Sequence, residues 1–213
     1  MKKFIQMLCL VMLVAVLFSG CRANVPQETN GSITPSSDDA STDVSLDQND
    51  QQNSQEQNSS VVILQKIWDR FSEQERFSTY GGDVELGITD APGTLSVKNS
   101  EELFARYQFP ESQLAAIDEA ASMVHMMNSN LFTTAVVKLS KDGDMKQLHE
   151  AWRDSIQQTR WIYKQPDKLL LADVDGVHML MVYGNVDLMK LFTDKLMQEY
   201  PEAKVLYEQA VVS

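Results

Sequence analysis

The sequence predicts an α+β domain at the end of a polar tether. Paired runs of strand-forming residues are each followed by helical spacing, two short turn signals sit between the paired runs, and the apolar content lies almost wholly outside residues 22–60. The order strand, strand, helix occurs twice. We therefore expect a two-layer sandwich in which a four-stranded antiparallel sheet, built as ββα repeated, carries its helices on one face and is preceded by a helical region. One such domain would fill residues 61–213.

The chain opens with Met1-Lys2-Lys3, an apolar run from Phe4 to Phe18, then Ser19-Gly20-Cys21. A basic start and an apolar stretch of about 15 residues suit a secretory signal and fall short of the roughly 20 that span a bilayer as a helix. Residues 1–20 are read as a signal peptide cleaved between Gly20 and Cys21. Small residues before a cysteine resemble the bacterial lipobox, and that resemblance implies lipidation of Cys21. Phe18 stands where the lipobox has leucine. The resulting address is the outer side of the cell membrane, held by lipid.

Composition narrows the function classes. Cys9 leaves with the signal peptide and Cys21 would carry lipid, so neither a disulfide nor a multi-cysteine metal site is expected in the mature chain. Without Lys2 and Lys3, 16 basic residues face 30 acidic ones, a net charge of −14. Such a surface argues against nucleic acid, whose phosphates require a basic footprint. Residues 21–60, rich in Ser, Asn, Gln, Asp and Thr and free of aromatics, are expected to be a disordered tether.

In the domain, Ser59 and Ser60 are candidate caps for a helix over 61–75 with Leu64, Ile67, Trp68 and Phe71 on its apolar face. Turn signals at Gly81-Gly82, Gly87 and Ala91-Pro92-Gly93 leave room only for short strands near 84–88 and 95–97. Ser100 is expected to cap a short helix ending before Pro110. Ala120–Met127 and Phe132–Leu139 read as a hairpin through Asn128-Ser129-Asn130. Asp144 should cap a long helix with Leu148, Trp152 and Ile156 inward, leaving His149 in solvent. Leu169–Val174 and Val177–Tyr183 flank Asp175-Gly176, a strong hairpin signal. Asn185 should cap a last helix that stops at Tyr200-Pro201. The spacing of 203–212 fits helix and strand equally.

The phrases Glu101-Glu102-Leu103-Phe104-Ala105-Arg106-Tyr107, Met126-Met127-Asn128, Ala135-Val136-Val137-Lys138 and Val177-His178-Met179-Leu180-Met181-Val182 resemble a family of small bacterial lipoproteins that carry an uncharacterised domain. The resemblance spans roughly residues 62–200. It implies a lipobox, a polar linker and two hairpins with a long helix between them, and it implies no activity.

Catalytic and metal motifs are lacking. There is no His-Glu-x-x-His, Gly-x-Ser-x-Gly, phosphate-cradling glycine loop or complete calcium loop. Asp142-Gly-Asp144 and Asp173-Val-Asp175-Gly are read as turns and a helix cap. Met123, His125, Met127 and His178 are the only candidate metal set, because thioether with imidazole suits copper. Packing methionines explain that pattern better, so neither a metal nor another cofactor is expected. The expected function is a non-enzymatic module engaging a protein or cell-envelope partner, with a small-solute or metal carrier as the alternative.

Overall fold

A computed structural model describes residues 59–162 and 164–212; the cleavage and lipidation readings at Gly20 and Cys21, and most of the tether, lie outside the described residues. The chain runs α1 (Ser59–Asp69), β1 (Thr79–Gly81), β2 (Ile88–Thr89), β3 (Gly93–Leu95), α2 (Ser100–Tyr107), β4 (Ile117–His125), β5 (Phe132–Leu139), α3 (Met145–Gln157), β6 (Lys168–Asp173), β7 (His178–Gly184), α4 (Val186–Glu199) and β8 (Lys204–Ala210). All strand pairs are antiparallel, in the order β2-β1-β4-β5-β7-β6-β8, with β3 also on β4.

The central strands decide the layering. Leu169 to Ala172 in β6 and Met179 to Val182 in β7 are all fully buried, so each strand is apolar on both sides and must be covered on both. Helices α1 and α4 cover one face, where Leu64, Ile67, Trp68 and Phe192 pack on Met123, Phe132, Val136, Leu180 and Val182. Helices α2 and α3 cover the other, where Tyr107, Leu148, Trp152 and Ile156 pack on Ala135, Val137, Leu171, Met179 and Met181.

The expected two-layer, four-stranded sheet is thus corrected to an eight-stranded sheet between two helical layers. The ββα repeat is present as β4-β5-α3 and β6-β7-α4, but four further strands extend the sheet. Three are only two or three residues long, too short to show alternation, and β8 alternates weakly because it is an edge strand with most side chains exposed. Its pairing with β6 resolves the 203–212 segment as strand.

Local signals hold well where caps decide. Asp144 accepts from the Gln147 N–H and Asn185 from the Leu188 N–H, at 2.9 and 2.8 Å. For α2 the cap is Asn99, one residue before Ser100, with its Oδ1 accepting from Glu102 N–H. Helix α1 begins at Ser59 and stops at Asp69, short of residue 75, because Glu75 turns back to accept the Ser72 N–H.

Candidate functional site

Among the described residues, two candidate sites lie at opposite ends of the sheet. The first is where the described chain enters the domain. Ser59, at the start of α1, donates both its backbone N–H and its hydroxyl to Glu119 Oε2 at 2.7 Å, and Lys138 holds Glu119 Oε1 at 2.9 Å. The Ser59 hydroxyl also lies 2.9 Å from His178 Nε2, and His178 Nδ1 lies 2.8 Å from Asp175 Oδ2. The backbone explains the assembly: Glu119, Lys138 and His178 are register neighbours across β4, β5 and β7, and Asp175 closes the turn before β7.

Serine, histidine and aspartate in this order are the parts of a hydrolytic triad. In this arrangement Glu119 competes with His178 for Ser59. An ionised carboxylate only accepts, so Glu119 takes the single Ser59 hydroxyl proton and the hydroxyl has none left to donate to His178 Nε2. Glu119 also occupies the Ser59 N–H, which an oxyanion would need. Burial alone would raise both carboxyl groups. Hydrogen bonds from Lys138 and Ser59 outweigh it at Glu119, and those from the Val177 N–H, the His178 ring and the His178 N–H outweigh it at Asp175, so both are held below the usual carboxylate range. The cluster is a clasp that pins the start of α1 to the sheet.

The second place is a groove at the other end, between α2, the segment after α3 and the ends of β4 and β7. Its floor and walls include Ala105, Gln108, Thr159, Arg160, Trp161 and Tyr183, around about 260 Å³. Ala105, Gln108, Thr159 and Arg160 continue into an adjoining stretch that reaches Phe104, Ser155 and Gln158. Helix α2 places Ala105 and Phe104 on its exposed side while Leu103 and Tyr107 are buried. Trp161 stands edge-on to Tyr183 with ring centres 5.3 Å apart, and its buried indole N–H has no acceptor among the described residues. Tyr183 donates to the Arg106 carbonyl, and burial pushes its phenol up to about 12. From His178 to Tyr183 is five residues of one strand, so the groove and the clasp are separated by roughly 17 Å.

The structure does not bring the candidate metal ligands together. Met123 is buried in the core under α1 and Met127 is 83% exposed. His125 stacks on Phe77 at the groove end of β4, whereas His178 is in the clasp, roughly 20 Å away along the strands. Among the described residues no group of three or more His, Cys, Asp or Glu could hold a metal ion. His149, expected in solvent, is half-buried beside Tyr207 of β8, and desolvation lowers its pKa. Asp144, Asp173 and Asp175 serve as cap and turn acceptors.

Neither the clasp nor the groove is among the features expected from the sequence. Asp175 three residues before His178, across a hairpin turn, was a visible local signal for the first. The second had none, because its residues come from four separate segments. Comparison with protein-family models, curated sequences and solved structures returned no significant match to the chain.

Proposed function

We propose that this protein is a lipid-anchored binding module of the cell envelope, tethered through Cys21 on the outer side of the membrane and engaging its partner through the groove beside Arg160 and Trp161. The observation that carries this reading is the polarity of the domain. The described chain begins at the clasp, and the groove opens at the opposite end of β4 and β7, so the point of attachment at Ser59 does not occupy the groove. The groove combines exposed apolar surface at Phe104 and Ile162, 54% and 89% exposed, with amide, hydroxyl and guanidinium groups, as binding sites do.

The test is partner capture by the wild type and by Ala105→Trp. Ala105 is exposed and lines both stretches of the groove, so the indole fills the groove without entering the core. Loss of the captured partner with an unchanged melting curve supports the reading, and undiminished capture contradicts it.

The Ser59–His178 and His178–Asp175 distances favour a second reading, a serine hydrolase. It requires Glu119 to leave Ser59. Labelling of Ser59 by a fluorophosphonate, abolished in His178→Ala, would establish it over the clasp.

A further inference from the structure

Residues 59–212 carry 23 Asp and Glu against 15 Lys and Arg, so a concave surface free of acids is unexpected on this domain. Among the described residues, no Asp or Glu lines either stretch of the groove, and two arginines line it. They differ in their freedom. Arg106 is bound to Glu102 at 2.7 Å and donates to the Gly82 carbonyl, so its charge is already matched. Arg160 is exposed and has no ion pair or hydrogen bond among the described residues.

Around Arg160 the lining is rich in groups that bind hydroxyls. Ser155, Ser129 and Gln158 contribute hydroxyl and amide groups, Asn130 contributes its amide oxygen while its nitrogen donates to the Lys164 carbonyl, and the rings of Trp161 and Phe104 add flat apolar surface. A guanidinium takes a carboxylate or a phosphate in a bidentate fork, and the charge has no competing acid in the groove. Amides and hydroxyls then suit a ligand that offers many hydroxyl groups of its own.

We infer that the groove binds an anionic, hydroxyl-rich glycan, with one acidic group of the polymer seated on Arg160. This rests on the binding-module reading above and names its ligand class. The acid is a carboxylate of a uronic sugar or a phosphodiester of a polyol phosphate, which share the same charge-assisted contact. A neutral sugar chain lacks that contact, and an acidic polymer without hydroxyls lacks the rest.

The experiment titrates the full chain in detergent with oligogalacturonate, with a glycerol-phosphate oligomer, and with a neutral cello-oligosaccharide and poly-glutamate of matched length. Tryptophan fluorescence is the readout. Trp68 and Trp152 are sealed in the two cores, so a ligand in the groove reports through Trp161, and the signal should vanish in Trp161→Phe. At least one of the two anionic glycans should bind at least roughly tenfold more tightly than the neutral chain and poly-glutamate, and the arm that binds identifies the acid. Arg160→Gln should lose that advantage and Arg160→Lys should keep part of it. Binding should also weaken as salt rises. No binding of either anionic glycan, equal binding of the neutral chain or of poly-glutamate, or an unchanged affinity in Arg160→Gln overturns the inference. If the groove captures a protein in cells while both glycans fail, the ligand class falls and the binding-module reading stands.

Discussion

Ser59 and Glu119, 60 positions apart in the chain, are joined twice: the Ser59 N–H and hydroxyl both donate to the same carboxylate oxygen at 2.7 Å. The hydroxyl proton satisfies one bond and the helix-start N–H another, so the contact is both a cap and a long-range staple. Ser59→Ala removes only the hydroxyl and should cost about 1 kcal/mol. Glu119→Ala strips acceptors from Ser59 and Lys138 together and should cost more. Urea unfolding is the check: the midpoint falls in that order with an unchanged slope. Equal midpoints for wild type and Glu119→Ala would mean the clasp is idle.

Acid should loosen the domain over a window set by its depressed carboxyl groups. Glu75 is held at about 2, first by the Ser72 backbone N–H and then by Lys195, and Glu119 and Asp175 lie below the usual range. The unfolded chain takes up these protons near pH 4, before the folded one does, so the stabilisation is complete above about pH 4 and is lost as pH falls toward 2. Urea midpoints should therefore hold from pH 6 to about pH 4 and decline from there toward pH 2, and Glu119→Gln with Asp175→Asn should flatten part of the decline.

Alkali should act in the opposite direction. Burial pushes Tyr183 and Tyr200 up to about 12, and Tyr107 also upward. Between about pH 10 and 12 the unfolded chain ionises these phenols and the folded chain does not, so stability present below pH 10 is lost as pH rises. Ultraviolet titration should show a class of tyrosines ionising only with unfolding. Tyr183→Phe should remove its share at the cost of the hydrogen bond to the Arg106 carbonyl.

On the face under α2 and α3, Trp152 is fully buried, donates its indole N–H to the Tyr107 carbonyl at 2.9 Å and meets Phe109 edge-on at 4.9 Å. Trp152→Phe leaves that carbonyl without its donor and should cost about 1–3 kcal/mol. Trp152→Ala adds a cavity and should cost about 3–5 kcal/mol. Thermal melting separates the two.

Features decided by neighbouring residues are legible in the sequence. The caps at Asp144 and Asn185, the turn at Asp175-Gly176 and the apolar faces of α1 and α3 all follow from short-range spacing. The second helical layer also had a signal: the unbroken runs Leu169-Leu170-Leu171 and Met179-Leu180-Met181-Val182 call for cover on both faces, and helices on one face cannot supply it. The outer strands are different in kind. Ile88–Thr89 and Gly93–Leu95 are defined by the partners they meet, and Lys204–Ala210 by a register on β6, with no pattern of their own. The groove belongs with these, since Arg160 and Ala105 become neighbours only when the segment after α3 folds back on α2.

The most direct measurement places a photo-crosslinking amino acid at Ile162, on the rim of the groove, and separately at Lys141, whose exposed side chain lies on the turn after β5 at the clasp end. Each variant is irradiated in intact cells. A tethered module that binds through its groove gives an adduct from Ile162 and none from Lys141, on a protein that mass spectrometry shows to begin at lipidated Cys21. An adduct from Lys141 alone, or none from either position, would contradict a groove-facing, tethered binding module.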